Sequence, residues 1–331
     1  MARGLVIGKF YPPHRGHKYL IDVATAQADQ LDVIVCARPV QRIPGSLRAA
    51  WLREIHPAAN VIEAADLCDD DNSRRWADYT RQLLDGAPDV VFSSEDYGDT
   101  FARCLGARHV KVDRVRAVVP ISGFEIRKDP FAHWQYLEPC VCAWFCKRIC
   151  VVGAESTGTT TTARLLAERF RTSWVPEYGR DYTEARRVAG AGVAWRTEEF
   201  VHIARRQQEH EDLAARQADR VLFCDTDALA TCVWHERYLS AWSNEVEAVA
   251  DTRHYDHYLV TATDIPYEHD RIRDSEHLRE WMTSRFVQEI AKRGHPYTVL
   301  EGPLEARLAA ATRIVETVMK ENPYRDLRDD R

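Results

Sequence analysis

Two short apolar runs in this chain, residues 5–7 and 149–152, pass straight into glycine-bounded loops, and each loop passes straight into a helical pattern. This strand–loop–helix order constrains the fold more than any other feature. Strands joined through a helix run parallel, because the crossover returns the chain to the same end of the sheet. The alternation continues throughout. Apolar runs at 31–36, 89–92 and 110–112 follow the first unit, and runs at 221–224, 258–261 and 297–300 follow the second. Between them Leu20, Val23 and Ala24 share one helical face, as do Ala163, Leu166, Ala167 and Phe170. The fold class is therefore α/β, with two domains that each carry a parallel sheet covered by helices. A length of 331 residues suits two domains. No long Gly/Ser linker parts them, and the boundary is expected at 146/147, giving closely joined domains 1–146 and 147–331. The mixed-charge tail at 325–331 is expected to fray.

Composition narrows the partners. Lys and Arg total 45 against 51 Asp and Glu, a net charge of −6. That excludes a wholesale basic surface for gripping nucleic acid. No apolar run approaches the roughly 18 residues of a membrane helix. The N-terminus lacks the apolar core and small-residue cleavage site of a signal peptide. A cytoplasmic chain with no membrane insertion and reduced thiols is expected. Four of the nine cysteines, Cys140, Cys142, Cys146 and Cys150, lie close together. Their spacing fits no zinc pattern, and they alternate with Val141, Ala143, Trp144 and Phe145. They are read as small core side chains.

The first loop reads Gly8-Lys9-Phe10-Tyr11-Pro12-Pro13-His14-Arg15-Gly16-His17. Gly8 permits the sharp turn out of the strand, and Gly16 permits close backbone approach. The helix that starts there turns free N–H groups and a positive dipole end toward the loop. Lys9, His14, Arg15 and His17 add donors or positive charge. The combination suits a polyphosphate.

This segment resembles the G-x-F-x-P-x-H-x-G-H motif of the HxGH nucleotidyltransferases, whose domain is Rossmann-like. The resemblance implies that His14 and His17 contact the phosphates of ATP, with Gly8, Lys9 and Phe10 in the nucleotide site. It also implies a partner motif, found as Ile121-Ser122-Gly123-Phe124-Glu125-Ile126-Arg127. Ser122 is expected to cap a helix that carries Arg127 to the phosphates. Phe124 stands where the family has Thr, which removes one hydroxyl donor. The implied reaction is attack of a mononucleotide phosphate on the α-phosphorus of ATP, with Mg2+ and pyrophosphate as leaving group. It needs positioning and charge neutralisation rather than an enzyme nucleophile.

The second loop, Gly153-Ala154-Glu155-Ser156-Thr157-Gly158-Thr159-Thr160, fits a P-loop except that Thr159 replaces its lysine. The backbone cradle remains, and Thr160 is placed to hold Mg2+. The strand at 221–224 ends in Asp225-Thr226-Asp227. A carboxylate there suits Mg2+ binding or removal of a proton from an acceptor hydroxyl, though a helix N-cap is the alternative. The charged segment 264–274 reads as a lid, and its Arg271 and Arg273 are the cations expected to stand in for the lysine.

An HxGH domain followed by a P-loop kinase domain resembles the NadR-type bifunctional proteins over about residues 3–320. Further matching segments are Ile43-Pro44-Gly45-Ser46-Leu47-Arg48, Ser93-Ser94-Glu95-Asp96-Tyr97-Gly98 and Pro176-Glu177-Tyr178-Gly179-Arg180. The resemblance implies phosphorylation of nicotinamide riboside by the second domain and adenylylation of the nicotinamide mononucleotide to NAD by the first. The riboside's cationic ring favours aromatic faces and carboxylates. Glu177, Tyr178, Asp225 and Asp227 are the candidates in the second half, with the choice between base and Mg2+ ligand left open. Trp76 is the candidate ring platform in the first. Some family members carry an N-terminal helix-turn-helix domain. Here the first strand begins near residue 5, and DNA binding is not expected. The alternative is that only one half catalyses, with Thr159 or Phe124 marking the other as a nucleotide-sensing module. A homo-oligomer is compatible with the sequence.

Overall fold

A computed structural model describes residues 1–69, 72–188, 194–268 and 276–321. Within these the chain divides into two compact units, Met1–Val141 and Cys142–Glu321. Each unit is built on a five-stranded sheet in which every paired neighbour is parallel.

In the first unit the strands are β1 (Arg3–Gly8), β2 (Gln30–Ala37), β3 (Asn60–Ala65), β4 (Val90–Ser93) and β5 (Arg108–Lys111), in the order β3-β2-β1-β4-β5. Period-two alternation sorts their side chains onto two faces. Val6, Val33, Val35 and Phe92 pack with Leu20, Ile21 and Ala24 of the helix Arg15–Thr25. Leu5, Ile34 and Val91 pack on the opposite face with Ala77, Leu84 and Phe101. The residues named from the strands are fully buried and nearly all β-branched or aromatic. Each such burial stabilises the fold by about 1.5–3 kcal/mol before the cost of ordering the chain.

In the second unit β6 (Lys147–Gly153), β7 (Trp174–Val175), β8 (Val221–Asp225), β9 (His257–Thr261) and β10 (Tyr297–Leu300) take the order β10-β9-β6-β8-β7. Ile149, Val151, Phe223 and Leu259 form one buried layer with Ala163, Leu166 and Ala167 of the helix Thr159–Phe170. Ala311 and Val315 of the helix Leu304–Lys320 join the same layer.

The sequence leaves β3 and β7 unread. Residues 60–65 hold one β-branched pair, Val61-Ile62, followed by Glu63, and β3 lies at a sheet edge where only part of the strand is buried. β7 has two residues and exists through its pairing with Phe223 and Cys224. Cys140, Cys142, Cys146 and Cys150 are buried, the last within β6. No helix among the described residues is long and apolar enough to cross a membrane.

In both sheets the strand order reverses around the first strand of the unit. The loops after β1 and β6 therefore emerge where adjacent connections diverge, which opens a crevice at the carboxyl ends of the strands.

Candidate active sites

The loop after β1 is shaped by its own side chains. His14 caps the helix Arg15–Thr25, and its Nδ1 accepts the Gly16 amide at 3.1 Å. That role assigns the proton to Nε2. A Cβ at position 16 would meet the His14 ring at 2.9 Å, so the cap requires glycine there. The His17 ring stacks on His14 with centroids 3.8 Å apart and meets the edge of Phe10 at 4.9 Å. Burial first, and then the Arg116 charge, together lower the His17 pKa to about 3. His14 is depressed more strongly by burial, by His17 and by Arg116. Both rings are neutral at pH 7. His17 Nδ1 is buried without a protein hydrogen-bond partner.

Ser122 caps the helix Gly123–Lys128 through its Oγ, which accepts the Glu125 amide at 3.2 Å. That helix carries Arg127 back to the first loop, where its guanidinium donates to the Tyr11 carbonyl and lies 4.9 Å over the Tyr11 ring. Gly8, Lys9, Phe10, His14, His17, Ser122, Phe124 and Arg127 line one cavity of about 560 Å³. Trp76 lines it too, its indole N–H donated to the Asp69 carbonyl at 2.9 Å. Lys9 lies 3.6 Å from Asp66, a carboxylate that also accepts from Arg38 at 2.8 Å. Burial raises the Asp66 pKa. The Cys68 amide, Lys9 and Arg38 outweigh it and hold the group below its ordinary value.

Sequence reading assigned no role to Arg48, which is fully buried beneath the loop. It donates to the carbonyls of Lys9 and Cys36 and, at 2.6 Å, to Gln41 Oε1. Only the packing of the helix Gly45–Ile55 brings it there.

The second loop spans residues 153–160 between β6 and the helix Thr159–Phe170. Gly158 takes φ 85° just before the helix, a conformation in which a side chain would be strained. Thr157 Oγ1 bonds the Ala154 carbonyl and Thr261 Oγ1, each at 2.7 Å. Thr160 Oγ1 donates to Asp225 Oδ2 at 2.5 Å. Burial raises the Asp225 pKa against hydrogen bonds from Thr160 and Thr159. Burial and then the Asp225 charge raise that of Glu177, while Arg180 opposes both shifts. Residues 153–160, Glu177, Arg180 and Asp225 line a cavity of about 340 Å³.

Two expected residues lie elsewhere. Asp227 caps the helix Ala228–Leu239, accepting from the Ala230 amide at 2.8 Å and the Tyr258 hydroxyl at 2.7 Å. Its carboxylate is committed there, and Asp227 is absent from the cavity lining. Tyr178 is also absent from it. Its hydroxyl pairs with His202 Nε2 at 3.1 Å, and its amide donates to Gln207. Arg271 and Arg273 lie outside the described residues. Of the lid segment, Ile265, Pro266 and Glu268 line the cavity, and the Glu268 amide donates to Ser156 Oγ at 2.7 Å.

The structure adds what the sequence did not show. Trp195, Phe200, Trp234 and Tyr238 form an aromatic wall in the same cavity, with Trp195 and Tyr238 centroids 5.2 Å apart. These rings come from distant positions, and helical spacing alone reads them as core. Arg307 is buried and donates to the carbonyls of Thr157, Ala262 and Gly302. It braces the loop.

A family described as AAA domain matches residues 148–307. The trifunctional NAD biosynthesis/regulator protein NadR of Escherichia coli (strain K12) is 28% identical over 294 residues, covering 82% of this chain and 71% of the relative. The same-named protein of Salmonella typhimurium is 28% identical over 292 residues, with the same shares. A crystal structure of NadR protein in complex with NR superposes with a TM-score of 0.78 at 21% identity, covering 96% of both chains. A NadR complex with NAD and AMP-PNP gives 0.73 at 21% identity over 97% of both. Two parallel sheets, each presenting a glycine-containing loop from its central strand into a cavity, define a two-domain α/β protein with a P-loop in its second unit. The relatives cover 82% of the chain, and the solved structures share its fold over nearly all of it. In sequence and in fold it is similar to NadR proteins.

Proposed function

We propose that this protein makes NAD from nicotinamide riboside in two ATP-dependent steps, one in each unit. The observation that carries this reading is the pairing, within each cavity, of a phosphate loop with aromatic faces. Trp76 stands with the histidine loop, and Trp195, Trp234 and Tyr238 stand with the P-loop. A cationic pyridinium ring is held well by such faces, by about 0.5–2 kcal/mol per contact. The names of the curated relatives and the ligands of the two NadR structures point the same way.

In the second unit the riboside 5′-hydroxyl attacks the γ-phosphorus of ATP, and the bond to the β-bridging oxygen breaks. Glu177 faces Asp225, and its raised pKa fits it to take the hydroxyl proton. Thr160 Oγ1 and Asp225 Oδ2, both hard oxygen donors 2.5 Å apart, are the residues that would hold Mg2+. Bound there, such an ion would supply charge neutralisation to the transferring phosphoryl group. In the first unit a phosphate oxygen of nicotinamide mononucleotide attacks the α-phosphorus of ATP, and pyrophosphate departs. His14 and His17 donate neutral N–H groups to the phosphates, while Lys9 and Arg127 supply charge.

One feature favours a second reading, in which the second unit binds nucleotide without phosphorylating. No lysine lines its cavity among the described residues, since Thr159 replaces the P-loop cation. Incubation of the full chain with Mg-ATP and nicotinamide riboside, followed by product separation, decides. NAD formed through nicotinamide mononucleotide supports both steps. NAD formed only from added mononucleotide selects the second reading, and no NAD from either refutes both.

A further inference from the structure

Arg116 lies in a sequence stretch to which no role was assigned, yet it lines the same cavity as His14, His17 and Arg127. Its backbone takes φ 52°, a left-handed conformation that is uncommon for a residue with a side chain. The turn that holds it there is built by one carboxylate. Asp113, itself at φ 46°, accepts the amides of Ala117 at 2.7 Å, Val118 at 3.1 Å and Val119 at 3.0 Å. The Arg116 amide donates to the Asp113 carbonyl at 2.8 Å. Three side-chain acceptances and one backbone bond over-determine the turn, so the guanidinium's origin is fixed before any ligand arrives. Its Nη2 lies 3.4 Å from Glu95 Oε1, with both side chains about half exposed. An ion pair so exposed is weak, with a median of about 0–1 kcal/mol, and yields to a stronger anion.

From this geometry we propose that Arg116 is a phosphate-contacting residue of the first site, presented by the Asp113-capped turn and lightly held by Glu95 until a nucleotide polyphosphate displaces that carboxylate. The proposal rests on the reading that ATP binds at His14 and His17, and extends it to a residue outside both motifs. A guanidinium suits the task because its fork engages two phosphate oxygens at once. The depression of both histidines by the Arg116 charge agrees with its reach across the cavity.

The test is adenylyl transfer to nicotinamide mononucleotide by the full chain. Arg116→Gln is expected to raise the KM for ATP about tenfold and leave the KM for the mononucleotide unchanged, with Arg116→Lys recovering part of the loss. Glu95→Gln is expected to lower the KM for ATP, an effect that a purely structural pair does not produce. An unchanged KM for ATP in Arg116→Gln, or an equal rise for both substrates, overturns the proposal. Histidine NMR titration of the ligand-free chain gives a readout independent of turnover. The His14 and His17 resonances, assigned by His14→Gln and His17→Gln, should titrate at higher pH in Arg116→Gln. If the unaltered chain transfers no adenylyl group, the function reading fails. Unshifted histidine titration in Arg116→Gln then removes the reach of the Arg116 charge to the histidines as well.

Discussion

Thr160 Oγ1 and Asp225 Oδ2 stand 2.5 Å apart across 65 residues of sequence. One belongs to the helix after the P-loop, the other to the end of β8. The neighbouring strands β6 and β8 bring them together, through pairs such as Val151 with Asp225. Hydroxyl and carboxylate thus share one edge of a phosphate cradle.

Asp225→Asn keeps the shape of this edge and removes its charge. Riboside phosphorylation should fall by about 10²–10³-fold, the scale of losing a preorganised electrostatic group. Adenylyl transfer to added mononucleotide should be unchanged. Separate initial-rate assays of the two steps check this, and loss of both contradicts independent sites. Burial raises the pKa values of Asp225 and Glu177 in the unaltered chain. The acid limb of the phosphorylation rate should therefore lie above the ordinary carboxylate range.

Thr159→Lys restores the cation that the P-loop pattern expects. The KM for ATP in riboside phosphorylation should fall about tenfold, as a charge-assisted phosphate contact is worth about 1.5–3 kcal/mol. An unchanged KM would show that another residue already supplies that charge, with Arg180 in the same cavity the first to substitute.

His17 carries a pH signature. Its pKa is about 3 in the fold against 6.5 as the ordinary value. Above pH 6.5 the ring is neutral in both folded and unfolded chains, and stability is full. As pH falls from 6.5 toward 3, the unfolded chain takes up a proton that the folded one refuses, so stability declines. His14 acts in the same direction. Urea midpoints of His17→Gln should decline less steeply between pH 7 and pH 5 than those of the unaltered chain. The same variant should lose adenylyl transfer and keep phosphorylation.

Arg48→Met removes a buried guanidinium that donates to Lys9, Cys36 and Gln41. The orphaned neutral acceptors should cost about 1–3 kcal/mol, the scale for leaving a buried polar group without its partner. Denaturation of the first unit should shift accordingly. Arg48→Lys should rescue little, because an ammonium cannot reproduce the fork. The KM for ATP should rise as the Lys9–Phe10 backbone loses its brace.

The sequence by itself determined the α/β class, the two strand–loop–helix units and most strands. These signals are local: β-branched runs, the glycines Gly16 and Gly158, and the Ser122 cap. Each depends on neighbours within a few residues. The tertiary structure decided which side chains meet. It gave Asp227 to a helix cap and Asp225 to the cleft, although both follow the same strand. It turned Tyr178 toward His202 and gathered Trp195, Trp234 and Tyr238 into a wall. It also set Arg48 under one loop and Arg307 under the other. A side chain's role at long range depends on strand order and helix packing, and no local pattern encodes the partner waiting across the sheet.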